Sequence, residues 1–182
     1  FSPVQIYQNK AQIELRKFLA HAHNQKKEEA YESLMMRKDY SERAMVLMEV
    51  DEVRQRNFDA NNAQYQAWYH ILFGEYNEAE TQLNTLYSIV SKRQSPTALD
   101  HYSAMMGMVR LFQGDSAGSL SYFNENIDTE NYQYYSYFKA LALQASGQNE
   151  VAKDIFNKIA NYNFNGLGVS LVRSLAKKQL ES

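Results

Sequence analysis

The stretch Ala67-Trp68-Tyr69-His70-Ile71-Leu72-Phe73-Gly74-Glu75-Tyr76-Asn77-Glu78-Ala79 decides the reading of this chain. A small residue is followed after seven positions by a glycine, and after five more by a second small residue. The same spacing recurs at Gly107–Gly114–Ser119 and at Ala140–Gly147–Ala152. Each glycine has about a dozen residues of helical character on either side, with apolar residues at i, i+3 and i+4. A glycine past the last periodic residue ends a helix in the left-handed conformation. The pattern therefore predicts a helix–turn–helix unit repeated in tandem, and helical repeats of this period build solenoids.

Working outward, the spacing predicts helices over 3–23, 26–37, 41–57, 62–73, 76–91, 97–113, 116–126, 132–146, 149–161 and 167–180. The expected breaks are Asn24-Gln25, Asp39-Tyr40-Ser41 (Ser41 as an N-cap), Asn61-Asn62, Ser95-Pro96, the acidic link Asp128-Thr129-Glu130-Asn131, and the Asn-rich stretch 161–166. That makes about ten helices and no strand. The last helix is expected to turn Leu167, Leu171, Leu175 and Val172 inward and Arg173, Lys177 and Lys178 outward, closing the open end of the core.

Composition agrees. Only 7 Gly and 2 Pro in 182 residues leave long helices uninterrupted, and 45% hydrophobic residues suffice for a sizeable core. The formal charge of −2 carries no nucleic-acid footprint. The absence of Cys excludes disulfides, zinc-thiolate sites and thiol nucleophiles, and leaves cytoplasm and periplasm equally open. No apolar run reaches the roughly 18 residues of a membrane span. The chain starts at Phe1 rather than Met, so a processed product or an excised piece of a longer protein is expected.

The run Gly74-Glu75-Tyr76-Asn77-Glu78-Ala79-Glu80-Thr81-Gln82-Leu83 resembles the turn and second helix of a tetratricopeptide repeat. Ala67 and Ala79 then form the close-approach pair of a repeat over about 60–93, Gly107 and Ser119 that of 100–132, and Ala140 and Ala152 that of 133–166. Leu83, Phe123 and Phe156 fall at one equivalent place. An earlier unit, Gln25-Lys26-Lys27-Glu28-Glu29-Ala30, fits with Gln25 in the glycine position and Phe18 where a small residue is usual. Ile159-Ala160-Asn161-Tyr162-Asn163-Phe164-Asn165, with Leu171-Val172-Arg173 and Ala176-Lys177-Lys178, resembles the closing segment of bacterial members. The resemblance implies an all-α, right-handed helical-hairpin solenoid forming one domain over 1–182. Within it, 1–59 is a divergent N-terminal part, 60–166 three clearer repeats, and 167–182 a capping helix.

In that family the first helix of each repeat lines a concave groove. By register, the resemblance assigns to it Gln64, Trp68 and Ile71, then His101, Ala104, Met108 and Leu111, then Tyr134, Tyr137, Leu141 and Gln144. The partner-binding candidates are Gln64, Trp68, His101, Met108, Tyr134, Tyr137, Leu141 and Gln144. This set is aromatic and uncharged. It suits an apolar protein segment rather than an acidic tail, as family members that hold a peptide carboxylate use Lys, Arg and Asn in these places. The alternative is that Trp68 and Met108 pack beneath the N-terminal helices. The cluster Tyr132, Tyr134, Tyr135 and Tyr137 spreads over more than one helix face, so part of it is expected at a surface or interface.

No catalytic constellation is expected. His21 and His23 point about 200° apart on a helix and do not form one metal site. No Gly-rich phosphate loop occurs. The expectation is a non-enzymatic interaction module without cofactor or metal, whose partner is a protein or peptide. Self-association as a homodimer is an alternative, and a small-ligand-binding helical domain a further one.

Overall fold

A computed structural model of the chain describes residues 1–123 and 132–181. The expected end of a helix at 126 and the acidic link 128–131 lie outside the described residues. Among those described the structure is all helical, with nine helices and no strand: α1 (Pro3–His23), α2 (Lys27–Val46), α3 (Glu52–Leu72), α4 (Tyr76–Val90), α5 (Asp100–Phe112), α6 (Ser116–Phe123), α7 (Tyr132–Ala145), α8 (Asn149–Ala160) and α9 (Leu167–Glu181). None of these helices is long and apolar enough to cross a membrane. The chain divides into two compact units, 1–92 and 93–182.

The helices pair into four hairpins, α1/α2 and α3/α4 in the first unit, α5/α6 and α7/α8 in the second. All four turn in the same way. Gly74, Gly114 and Gly147 sit at φ +75°, +84° and +82°. Each donates its backbone N–H three residues back, and the next residue donates five residues back: Glu75 to the His70 carbonyl at 2.8 Å, Asp115 to Arg110 at 2.9 Å, Gln148 to Leu143 at 2.9 Å. This is the two-bond closure that satisfies the orphan carbonyls of a helix end. The first hairpin repeats it with Gln25 at φ +59° and Lys26 donating to His21 at 2.9 Å. A side chain there is strained where glycine is not.

The small residues stand where the paired helices meet. Ala67, Ala79, Ala140 and Ala152 are buried, and the Ser119 hydroxyl donates to the Gly107 carbonyl at 2.7 Å across the α5/α6 contact. Nine residues after each turn residue come Leu34, Leu83, Phe123 and Phe156, all buried. A Cβ on Gly107 would lie 2.8 Å from the Phe123 ring. The bulk at one position thus requires the absence of a side chain at the other.

Two expected breaks do not occur. The helices foreseen at 26–37, 41–57 and 62–73 are two longer ones, α2 and α3, which lowers the count from ten to nine. Residues 26–73 hold neither Gly nor Pro. Asp39 accepts from Arg43 at 2.7 Å and Lys38 reaches Glu42 at 3.7 Å, so i,i+4 ion pairs bridge the supposed break at 39–41. The real interruption is 47–51, where the Asp51 side chain accepts from the Arg54 N–H at 2.7 Å and caps α3. Asn61-Asn62 lies inside α3, and the Asn62 side chain is turned to α2.

In the second unit α9 packs on α7 and α8. Its buried stripe is Gly168, Val169, Val172 and Ala176, so Leu167, Leu171 and Leu175 flank the contact rather than fill it. Lys177 and Lys178 are exposed. Arg173 folds back and donates to the carbonyls of Tyr162 and Phe164, each at 2.8 Å, and to Asn165 at 3.1 Å. That clip shapes the Asn-rich loop before the helix and presents Phe164, 73% exposed, beside Tyr162.

Candidate functional site

The candidate residues fall in both units. On α3 of the first, Gln64 and Trp68 are buried. The Trp68 indole stacks with Tyr65 at 6.4 Å and 10°. The Arg37 guanidinium of α2 lies over the other element of this stack, 4.1 Å from the centre of the Tyr65 ring, and its Nη1 donates to Asn62 Oδ1 at 3.0 Å. Arg37 is 7% exposed, and burial lowers its pKa against a smaller opposing effect from Tyr65. The sequence reading missed Arg37, Asn62 and Tyr65 as a group. A signal was present: Ala30, Ser33, Leu34, Arg37 and Ala44 form one buried stripe at helical spacing, and Arg37 is its one charged member.

In the second unit the candidates lie on α5 and α7, which pack together. Met108 and Tyr134 are fully buried. His101 is half-buried and its Nδ1 contacts the Tyr135 hydroxyl at 2.9 Å, tying α5 to α7. Tyr137 is buried against Phe156 at 5.7 Å and Phe138 at 5.3 Å. Burial raises its pKa, opposed by a hydrogen bond with Gln179 of α9. Leu141 is half-buried and Gln144 exposed. Of the tyrosine cluster, 134, 135 and 137 are inside and Tyr132 is outside. The accessible part of the candidate face is therefore His101, Leu141 and Gln144, supported from beneath by the aromatic residues.

A second feature belongs to the first unit alone. Pro3, Tyr7, Asp39, Glu42, Arg43, Val46 and Leu47 line an open groove of about 500 Å³ between the start of α1 and the end of α2. Tyr7 stacks on Tyr40 at 6.2 Å, and the Lys10 ammonium sits within 6 Å of both rings, 5.7 and 5.4 Å away. Val46 is 83% exposed, and Phe1, Leu47, Val50 and Val53 are exposed as well.

Near the turns, Glu75 accepts from Lys27 at 2.5 Å and contacts His70 Nδ1 at 2.6 Å. The Lys27 and His70 hydrogen bonds hold the Glu75 carboxyl below its ordinary pKa. His23, partly buried at the end of α1, has its pKa lowered by desolvation to about 4. Among the described residues no three His, Asp or Glu side chains converge on a point that could take a metal ion. In comparisons with known proteins, no family model, no curated protein and no solved structure matches this chain.

Proposed function

We propose that this chain is a non-enzymatic interaction module, a tetratricopeptide-like solenoid that binds a protein or peptide segment. The observation that carries the reading is the fourfold recurrence of one hairpin, with the same left-handed turn residue and the same two backbone bonds at Gln25, Gly74, Gly114 and Gly147. Repeated hairpins bury one face against their neighbours and leave a broad face for partners. The partner would lie along α5 and α7 of the second unit and touch His101, Leu141 and Gln144. The buried tyrosines and Met108 would keep that face rigid.

Site-specific photo-crosslinking tests this. A photoreactive residue at Leu141 or Gln144 should capture one defined partner from native extract, and the same probe at Glu150 or Lys153, on the exposed side of α8, should not. Equal capture at both pairs refutes the assigned face. Self-association is the second reading, favoured by the exposed Val46, Leu47, Val50 and Val53 beside the groove of the first unit. It predicts a dimer in sedimentation velocity that Val46→Glu dissociates.

A further inference from the structure

Arg37 is a nine-tenths buried cation to which the described residues supply no anion. Among the described residues its partners are the Asn62 carbonyl oxygen, neutral, and the Tyr65 ring face. Among the described residues no carboxylate stands within ion-pair distance of it, whereas Lys17, Lys27, Lys38, Arg43 and Arg54 each have one. Buried charges are normally paired, because desolvation is costly and a neutral acceptor offsets it only in part. Burial is also the leading influence on its pKa. A methionine or leucine at this point in the Ala30–Leu34–Ala44 stripe would avoid that cost.

The guanidinium is held ready for a ligand. Nη1 is engaged by Asn62, and one face is covered by Tyr65, itself braced by Trp68. Of the described residues, Arg173 alone has a side-chain nitrogen both sealed from solvent and without an acceptor. The Nε and Nη2 donors of Arg37 therefore still reach water. Two parallel N–H groups on a fixed fork match the two oxygens of a carboxylate. The neutral partners fix the fork and leave its charge unspent.

We propose that the Nε/Nη2 edge of Arg37 is a receptor for one carboxylate, carried by an acidic side chain or chain end of the partner segment. The identity of the carrier rests on the interaction reading above. The receptor does not, and acetate alone reads it.

The experiment is an NMR titration of the intact chain with sodium acetate, against sodium chloride at equal ionic strength and pH 7. It follows the Arg37 Nε–H and the Asn62 side-chain amide. The expected result is a saturable shift of both, half complete at or below about 10 mM, with chloride silent. Arg37→Lys keeps the charge and loses the fork, and should weaken the acetate response at Asn62 at least fivefold. Arg37→Met should abolish it. A shift that stays linear to high acetate overturns the proposal, as does an unchanged response at Asn62 in Arg37→Met. Saturation by inorganic phosphate but not by acetate overturns the carboxylate assignment. If acetate binds and the photo-crosslinks at 141 and 144 find no partner, the receptor stands and its protein carrier falls.

Discussion

Replacing Gly107 by Ala tests whether the α5/α6 hairpin is specified by the pairing of an absent side chain with Phe123. The new Cβ would lie 2.8 Å from Cε2 and 2.9 Å from both Cδ2 and Cζ of the ring. Ordinary carbon contacts begin near 3.5 Å, so the ring must retreat by something under an ångström. Phe123 is 1% exposed, and close-packed interiors offer a ring little room to retreat. Overpacking of this kind costs about 1–3 kcal/mol, and a helical Gly→Ala change returns about 1 kcal/mol through propensity. The net expectation is a loss of about 1 kcal/mol. The sharper measurement is a double-mutant cycle with Phe123→Leu, followed by urea unfolding. In that background the clash is gone and Gly107→Ala should become stabilising by up to about 1 kcal/mol, so the coupling should exceed roughly 1 kcal/mol. A coupling below about 0.5 kcal/mol would refute the claim that these two positions specify each other.

Further outcomes follow from the same geometry. Gln25→Gly relieves a left-handed side chain and should raise stability by up to about 1 kcal/mol, whereas Gly147→Ala at φ +82°, with nothing within 4 Å to clash, should lower it by about 1 kcal/mol from backbone strain alone; urea midpoints that move the other way would show that the turns are not equivalent. Ala152→Leu should cost about 1–3 kcal/mol at the α7/α8 contact, and an unchanged melting temperature would break the register assigned there. His23 favours its neutral form when folded, so its stabilising effect is complete above pH 6.5 and is lost as pH falls from 6.5 towards 4. His23→Gln should flatten that part of the stability–pH curve, and an identical slope in the variant would exclude His23 as its source. Truncation after Asn165 removes α9 and bares Tyr137, so it should lower solubility and the melting temperature; a soluble fragment with the parent melting temperature would remove α9 from the core.

The sequence by itself determined the hairpins. A left-handed turn residue and a close helix contact are local demands, met within a dozen residues and visible as Gly74, Gly114 and Gly147 with their flanking small residues. Even the irregular first hairpin was readable, because Gln25 occupies the position that its register assigns. Tertiary structure decided what local signals leave open. Asp39-Tyr40-Ser41 and Asn61-Asn62 are only mildly unfavourable to helix, and packing of α2 on α1 and of α3 on α4 overrides them. The resemblance assigned Trp68, Met108, Tyr134 and Tyr137 to the first helices of their hairpins, but whether each is accessible depends on what covers it; α9 covers Tyr137, and Tyr65 stacks on Trp68. Arg37 and Asn62 are 25 residues apart and meet only because α2 runs on past the break expected at 39–41 and α3 begins before Asn61. A charge inside an apolar stripe is visible in a sequence, but whether it finds a counter-charge is a fact of three dimensions, set by which side chains the neighbouring helix brings within a few ångströms.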